Sequence, residues 1–269
     1  MDSNVSVAVI IPAYNAQNTI ASCLESIYSQ TFKNIAEIIV VNDGSTDETE
    51  LICRNFIRST NQQPYLKIFS QSNAGPSKAR NLGISKSTST WIAFLDADDV
   101  WLPNKLQNQF NVINVNPNCM LMGTLLYKDK KVYTKSHKTI TFFSMLFKNE
   151  FLTSTIVVKR EILVKYYFDE KKKYSEDYKL WLQITFRHQA ILLLEGLVHY
   201  SPYQAKNPNS LSKKLLKMEL GELDNFNYLI NHKMINYFSY ILAVLFSLLK
   251  YFYRLFQFFI ENIFNRPNK

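Results

Sequence analysis

The chain has 269 residues, of which 47% are apolar and 14% aromatic, enough to bury one substantial core with an appendage and too apolar for a disordered chain. Three widely spaced cysteines, Cys23, Cys53 and Cys119, exclude a disulfide framework and a cysteine metal cluster, and point to a reducing, cytosolic setting. The net charge of +9 is uneven, with 7 Lys and Arg against 10 Asp and Glu in residues 1–100 and 24 against 12 in the remainder.

An apolar run over 5–11, closed by Pro12, reads as a strand buried on both faces; it is too short for a signal peptide or a membrane span. Ile20, Cys23, Leu24 and Ile27 then recur at helical spacing. A second buried strand over 35–41 stops at the turn signal Asn42-Asp43-Gly44-Ser45, and a helix runs to about Arg58. Residues 66–70 predict a third strand, 76–86 a helix opened by Gly75-Pro76, and 91–95 a fourth strand that ends at a burst of carboxylates. This alternation predicts an α/β fold whose mostly parallel sheet is covered by helices, with ligands gathering at the carboxyl ends of the strands. Beyond Trp101 the pattern gives a helix near 103–115, short strands near 120–127 and 154–158, and helices near 176–188 and 209–230. There is no repeat and no Pro/Gly/Ser-rich linker, so both halves are expected to share one packed domain.

From Met234 to Phe264 the chain turns apolar and aromatic, interrupted by Lys250 and Arg254. Asn236, Ser239, Ala243, Ser247, Lys250, Arg254, Gln257 and Glu261 fall on one narrow stripe of a helix. A wide aromatic face with a thin polar stripe suits a helix lying in the headgroup region of a bilayer better than one crossing it; packing on the domain or on a second subunit is the alternative. The basic second half favours an anionic membrane surface or a diphosphate-bearing substrate. Its lysine groups, at 128–138, 171–173 and 213–217, lie apart and lack a zinc-finger or RNA-binding signature, so nucleic acid is not an expected partner.

Asp96-Ala97-Asp98-Asp99 sets three carboxylates within four residues after a buried strand. Such a cluster repels itself unless solvated or bound to a hard cation such as Mg²⁺, which takes carboxylate and phosphate oxygens together. Capping of the next helix is the plainer reading. Asp43 also follows a buried strand and faces the same sheet edge; its carboxylate can accept hydrogen bonds from a nucleobase or ribose, with Gly44 permitting close backbone approach, or can simply shape a turn. Glu176 and Asp177 open a helix, where acids are favoured by the dipole whatever the function. The histidines at 137, 188, 199 and 232 have no metal-ligand spacing.

The blocks Val-Ile-Ile-Pro-Ala-Tyr-Asn (9–15), Val-Val-Asn-Asp-Gly-Ser-Thr-Asp (40–47), Asn-Ala-Gly-Pro-Ser-Lys-Ala-Arg-Asn-Leu-Gly-Ile (73–84) and Phe-Leu-Asp-Ala-Asp-Asp-Val-Trp (94–101), in that order, resemble the family 2 glycosyltransferases of GT-A fold. The resemblance implies that Pro12, Ala13 and Tyr14 line the donor's base and that Asp43 reads it. It places Arg80 near the donor, or in an ion pair tying a loop down. Asp96, Ala97 and Asp98 become the Asp-x-Asp motif, with Asp96 near ribose and metal and Asp98 a direct ligand of Mg²⁺ or Mn²⁺. Asn42 departs from the more usual Asp.

In the second half, Tyr174-Ser175-Glu176-Asp177-Tyr178-Lys179-Leu180-Trp181-Leu182 is similar to the family's Glu-Asp block. It implies Asp177 as the general base of an inverting transfer, Glu176 in reserve and on the acceptor side, and Trp181 as a wall for the acceptor sugar. The segment 203–212 resembles the late loop ending in Ser-x-Ser, with Lys206 where an arginine is more usual.

The expected protein is thus a glycosyltransferase using a UDP-sugar donor and a lipid-linked saccharide acceptor of surface polysaccharide assembly, peripheral on the cytoplasmic face of the plasma membrane. Residues 1–230 would form the transferase domain, with 1–102 binding the donor and 103–230 the acceptor, and 231–269 the membrane-associating extension. Two rivals are a nucleotidyltransferase, disfavoured because residues 12–17 contain no glycine, and a non-catalytic saccharide-binding protein.

Overall fold

A computed structural model describes residues 5–59, 65–127, 134–200 and 214–264. Among these, nine strands form one sheet in the order β3-β2-β1-β4-β8-β6-β9-β5, with β7 attached to β9. Strands β1 (Val7–Ala13), β2 (Ile35–Asn42), β3 (Tyr65–Ser70) and β4 (Trp91–Phe94) pair in parallel throughout. The crossovers are helices α1 (Ile20–Tyr28), α2 (Thr49–Ser59) and α3 (Pro76–Lys86), as the alternation in the sequence predicts. The second half is mixed: β8 (Val157–Lys159) runs antiparallel between β4 and β6 (Cys119–Leu126), and β9 (Gln189–His199) lies parallel to β6. Strands β5 (Val100–Trp101) and β7 (His137–Ile140) pair antiparallel with β9.

Strand β9 is absent from the sequence expectations. Its run Leu192-Leu193-Leu194 has neither alternation nor many β-branched residues, and its extended state is fixed by pairing with three neighbouring strands.

The period of two along β1 divides the core. Val7, Val9 and Ile11 belong to one apolar layer with Leu24 and Ile27 of α1 and with Phe110 of α4 (Lys105–Val115), while Ala8 and Ile10 belong to the other with Ile84 of α3 and Trp181 of α7 (Glu176–Thr185). Helix α3 approaches β1 so closely that a Cβ on Gly83 would lie 2.5 Å from Ile10 Cγ2. Shorter helices, α5 (Phe142–Phe147) and α6 (Arg160–Lys165), complete the second layer.

Helices α8 (Leu215–Asn231) and α9 (Tyr237–Phe264) form an antiparallel pair. Helix α9 turns its polar stripe inward. Ser247 Oγ donates to Glu219 Oε1 at 2.8 Å, Arg254 Nη2 to Glu219 Oε2 at 3.1 Å, Lys250 Nζ to Glu222 Oε1 at 2.8 Å, and Tyr240 OH to Asn227 Oδ1 at 2.7 Å. Ala243 and Ser247 are buried in the contact, whereas Phe238, Leu249, Phe252, Tyr253 and Phe256 are exposed. The helix thus packs on the domain through its stripe and leaves its aromatic face outward. Residues 237–258 are long and apolar enough to cross a membrane, and only 11% of the most apolar window is buried.

Candidate active site

The carboxyl ends of β1, β2 and β4 open onto one cleft of about 780 Å³. Pro12, Ala13 and Tyr14 line it after β1, Asp43 after β2, and Asp96, Ala97 and Asp98 after β4. Parallel strands bring these segments to a common edge because each crossover helix returns the chain to the same starting side. The loops are cross-linked there: the Asp43 N–H donates to Ala13 O at 2.8 Å, the Asn15 N–H to Ser45 Oγ at 3.0 Å, and the Thr46 N–H to Asn15 Oδ1 at 2.9 Å.

Asp43 is 4% exposed and organises the loop before α3. Its Oδ1 accepts from Gln71 Nε2 at 2.7 Å and the Ala74 N–H at 2.8 Å, and its Oδ2 from the Gly75 N–H at 2.8 Å. The loop comes so close that a Cβ on Gly44, itself at φ +73°, would meet Asn73 N at 2.7 Å. Asn42, beside it, donates through Nδ2 to Glu50 Oε2 at 2.7 Å. An aspartate there would set two carboxylates face to face, which accounts for the departure noted in the sequence.

Arg80 ties the two halves of the site together. It is 5% exposed, and its guanidinium donates to Asp96 Oδ1 at 2.8 Å and Glu176 Oε1 at 3.3 Å and lies over the Phe168 ring. Burial works against its charge, but Asp96 and Glu176 outweigh that and raise its pKa. The ion-pair reading of Arg80 holds, and the residue also lines the cleft. Ser154, which the sequence reading did not single out, secures the acidic segment: its hydroxyl donates to buried Asp99 and accepts from the Asp96 N–H at 3.1 Å, while its carbonyl accepts from Trp101 Nε1 at 2.8 Å.

Glu176 and Asp177 sit in the first turn of α7. Asp177 Oδ2 accepts from Thr153 Oγ1 at 3.2 Å and its Oδ1 from the Tyr178 N–H at 2.7 Å. Burial raises the Glu176 carboxyl to about 7, with the neighbouring Asp177 charge adding and Arg80 opposing; burial also raises Asp177, against Arg80. The turn is held by α8. Ser175 adopts φ +56°, a left-handed conformation uncommon for a non-glycine residue, while its carbonyl accepts from Asn225 Nδ2 at 2.9 Å. A Cβ on Gly221 would strike Tyr174 O at 2.7 Å. These α8 residues lie far along the chain from the pair they brace; a glycine inside a helix was the one available signal.

Trp181 is a correction. It is wholly buried, against Phe94 and Phe168, and offers no face to a sugar. Its flanking Leu180 and Leu182 already marked that side of α7 as core. Lys206 and the Ser-x-Ser segment lie outside the described residues.

The acidic edge fits a hard divalent cation that keeps most of its ligand positions for phosphate and water. Asp98 lines the cleft, Asp96 lies beside it, and among the described residues no group of three or more His, Cys, Asp or Glu converges into an all-protein cage. Another stretch of the cleft wall carries Lys171, Lys172, Lys173 and Lys214.

A family profile, glycosyl transferase family 2, matches residues 8–180. An uncharacterized glycosyltransferase of Rickettsia bellii is 30% identical over 244 residues, covering 88% of this chain and 34% of that protein, so the chain spans about a third of that relative's length. A protein of Escherichia coli described as UDP-Glc:alpha-D-GlcNAc-diphosphoundecaprenol beta-1,3-glucosyltransferase WfgD is 28% identical over 243 residues, 85% of this chain and 92% of its own. Among solved structures, the mannosyltransferase PcManGT of Pyrobaculum calidifontis, in complex with GDP-Man and Mn²⁺, superposes with a TM-score of 0.66 at 20% identity, over 84% of this chain and 64% of that one, a likeness of fold. The matched segment includes the strand-end residues of the cleft, Arg80 and the Glu176-Asp177 pair, and the chain belongs to glycosyl transferase family 2.

Proposed function

We propose that the chain transfers a sugar, with inversion, from a UDP-sugar to a hydroxyl of a lipid-linked saccharide in surface polysaccharide assembly. The observation that carries this reading is the Asp96–Arg80–Glu176 chain of ion pairs, which joins the acidic strand-end edge to the Glu176-Asp177 pair. The donor's base would lie along Pro12, Ala13 and Tyr14, toward Asp43. Asp98, with Asp96, would hold Mg²⁺ or Mn²⁺, which when bound supplies positive charge to the departing diphosphate. Asp177 takes the proton from the acceptor hydroxyl as it attacks the anomeric carbon. Glu176, paired with Arg80, holds the turn in place. Burial raises both carboxyls above their ordinary values, which makes either a stronger proton acceptor once ionised. The diphosphate-lipid acceptor and UDP-glucose named for the E. coli relative support the same chemistry here.

Membrane contact through α9 belongs to this reading, as a peripheral protein on the cytoplasmic face of the plasma membrane. Crossing the bilayer would pull Ser247, Lys250 and Arg254 away from Glu219 and Glu222 and carry the charges of Lys250 and Arg254 into hydrocarbon without those partners. Lying on the bilayer keeps those bonds and buries the aromatic face, at ~1.5–3 kcal/mol per fully inserted large side chain. The deciding test is UDP release from a panel of UDP-sugars with membrane extract, with and without Mn²⁺. Acceptor- and metal-dependent release is expected; UDP binding without release from any donor would sink the proposal.

A further inference from the structure

The segment between Phe168 and α7 supplies cleft-lining residues Glu170, Lys171, Lys172 and Lys173, and its charges are unequally committed. Asp169 Oδ2 accepts from Lys179 Nζ at 2.6 Å and its Oδ1 from the Lys171 N–H at 3.0 Å, while Glu170 Oε1 accepts from Asn81 Nδ2 at 2.9 Å. Lys172 turns to α8, where it donates to Gly221 O at 3.2 Å and pairs with Asp224. Lys171 and Lys173 remain exposed, joined in the wall by Lys214 just before α8, and among the described residues none of these three ammonium groups has an acidic partner.

We infer that Lys171, Lys173 and Lys214 form an anion subsite for the acceptor, taking the phosphate or diphosphate that links its saccharide to lipid. The inference rests on the glycosyltransferase reading above and adds the group by which the acceptor is held. Like charges gathered in one wall repel until an anion enters. The cation that Asp98 and Asp96 would hold would neutralise the donor's own diphosphate, which leaves the lysines for a second anion.

Their position fits a phosphate next to an apolar tail. In the antiparallel pairing of α8 and α9, Asn227 meets Tyr240 and Glu219 meets Ser247 and Arg254. Lys214, five residues before Glu219 and so about 7.5 Å further along the axis, falls alongside the turns of α9 that follow Arg254. Phe256 and Phe258 are exposed in that stretch, and Phe252 and Tyr253 just before it. Apolar face and basic wall therefore adjoin at this end of the helix pair, as lipid and phosphate do in a lipid-diphosphate saccharide. The loop is also rigid enough to present its lysines, pinned to α3 through Asn81 and to α8 through Lys172.

The test compares one acceptor saccharide carried on a lipid diphosphate with the same saccharide on a neutral alkyl aglycone, for wild type and for Lys171→Ala/Lys173→Ala and Lys214→Ala. Wild type is expected to prefer the diphosphate form, and the double variant to lower that preference at least tenfold, through KM rather than kcat. An equal loss on both acceptors, a raised KM for the donor, or an unchanged preference would each overturn the subsite. A binding arm works whether or not transfer is found: farnesyl diphosphate titrated against farnesol with the protein saturated in UDP and Mn²⁺. Diphosphate-selective binding weakened at least tenfold in the double variant upholds the subsite even if the transfer reading fails. Displacement of the probe by UDP, or binding indifferent to the lysines, refutes it.

Discussion

The parallel-stranded first half of the chain and the C-terminal helix pair are dressed in opposite ways. Helix α1 buries Ile20, Cys23, Leu24 and Ile27 against the sheet and shows solvent its polar face. Helix α9 buries Ala243 and Ser247, ties Lys250 and Arg254 to α8, and shows its aromatic residues outward. An inward apolar face completes a core by itself; an outward one of this size is left uncovered by the described residues. The acids differ as well. In the first half Asp43, Asp96 and Asp98 collect at one open edge, whereas Glu219 and Glu222 of α8 are turned onto a neighbouring helix.

The sharpest way to break this contrast is at the open edge. Asp98→Ala should lower metal-dependent UDP release by about 10²–10³-fold or more, because charge stabilisation of the leaving group is a dominant contribution to such transfers. Asp98 is partly buried in the cleft wall, so urea unfolding of the variant separates loss of metal-dependent release from loss of fold. Mn²⁺ titration of UDP release would show it, and full activity would return Asp98 to a merely structural role.

Next in size is the acid pair. Asp177→Asn should keep UDP affinity and lose transfer by about 10²–10⁴-fold, the usual reach of a general base. It should also lower the pKa of Glu176 from about 7, since the Asp177 charge is a cause of the rise second only to burial. Carboxyl carbon shifts of labelled Glu176 followed by NMR through pH 5–8 would read this. An unmoved titration would mean that the two groups do not share a site.

On α9 the expected effect is smaller and lies in location, not chemistry. Phe252→Ser with Phe256→Ser should weaken binding to anionic phospholipid vesicles by about 10–100-fold, as roughly 1.5–3 kcal/mol per side chain allows when insertion is partial. Sedimentation with vesicles measures it, and UDP release from a soluble acceptor should stay within about twofold. Undiminished sedimentation, or a dimer lost in the variant, would assign the face to another partner.

How much of this was legible in the sequence follows the same divide. Strands β1, β2 and β4 announce themselves as apolar runs because both of their faces are buried, and their ends could be read as a shared edge. Asp43 and Asp98 were therefore placeable from one dimension. Trp181 was not, because helical spacing says which residues share a face and not whether that face meets ligand or core. The direction of the α9 stripe was hidden for the same reason. The bracing of Ser175 by Asn225 and of the 171–173 loop by Gly221 joins segments about 50 residues apart, with no local pattern to reveal it.

The smallest effect separates two buried carboxylates, one from each region. Glu37 lies at the start of β2, away from the cleft; burial works against its charge, but donors from Lys67, the Thr88 N–H, Ser87 and Ser89 hold its pKa down to about 2. Glu219 has Ser247 and a half-exposed Arg254, and burial with the nearby Glu222 charge raises it instead. The two should respond to pH with opposite signs. A depressed carboxyl stabilises the fold above its unfolded value near 4.5 and loses that contribution as pH falls toward 2; a raised one contributes below 4.5 and loses it as pH rises through its folded value. Glu37→Gln should thus cost about 1–3 kcal/mol at pH 7, with the gap to wild type closing on acidification below about 4.5. Glu219→Gln should change stability at pH 7 by less than about 1 kcal/mol, since water reaches Arg254 and the repulsion from Glu222 is relieved. Urea unfolding at pH 7 and pH 3.5 distinguishes them, and a Glu219 variant as damaged as the Glu37 one would mean that the helix pair is fastened as firmly as the sheet.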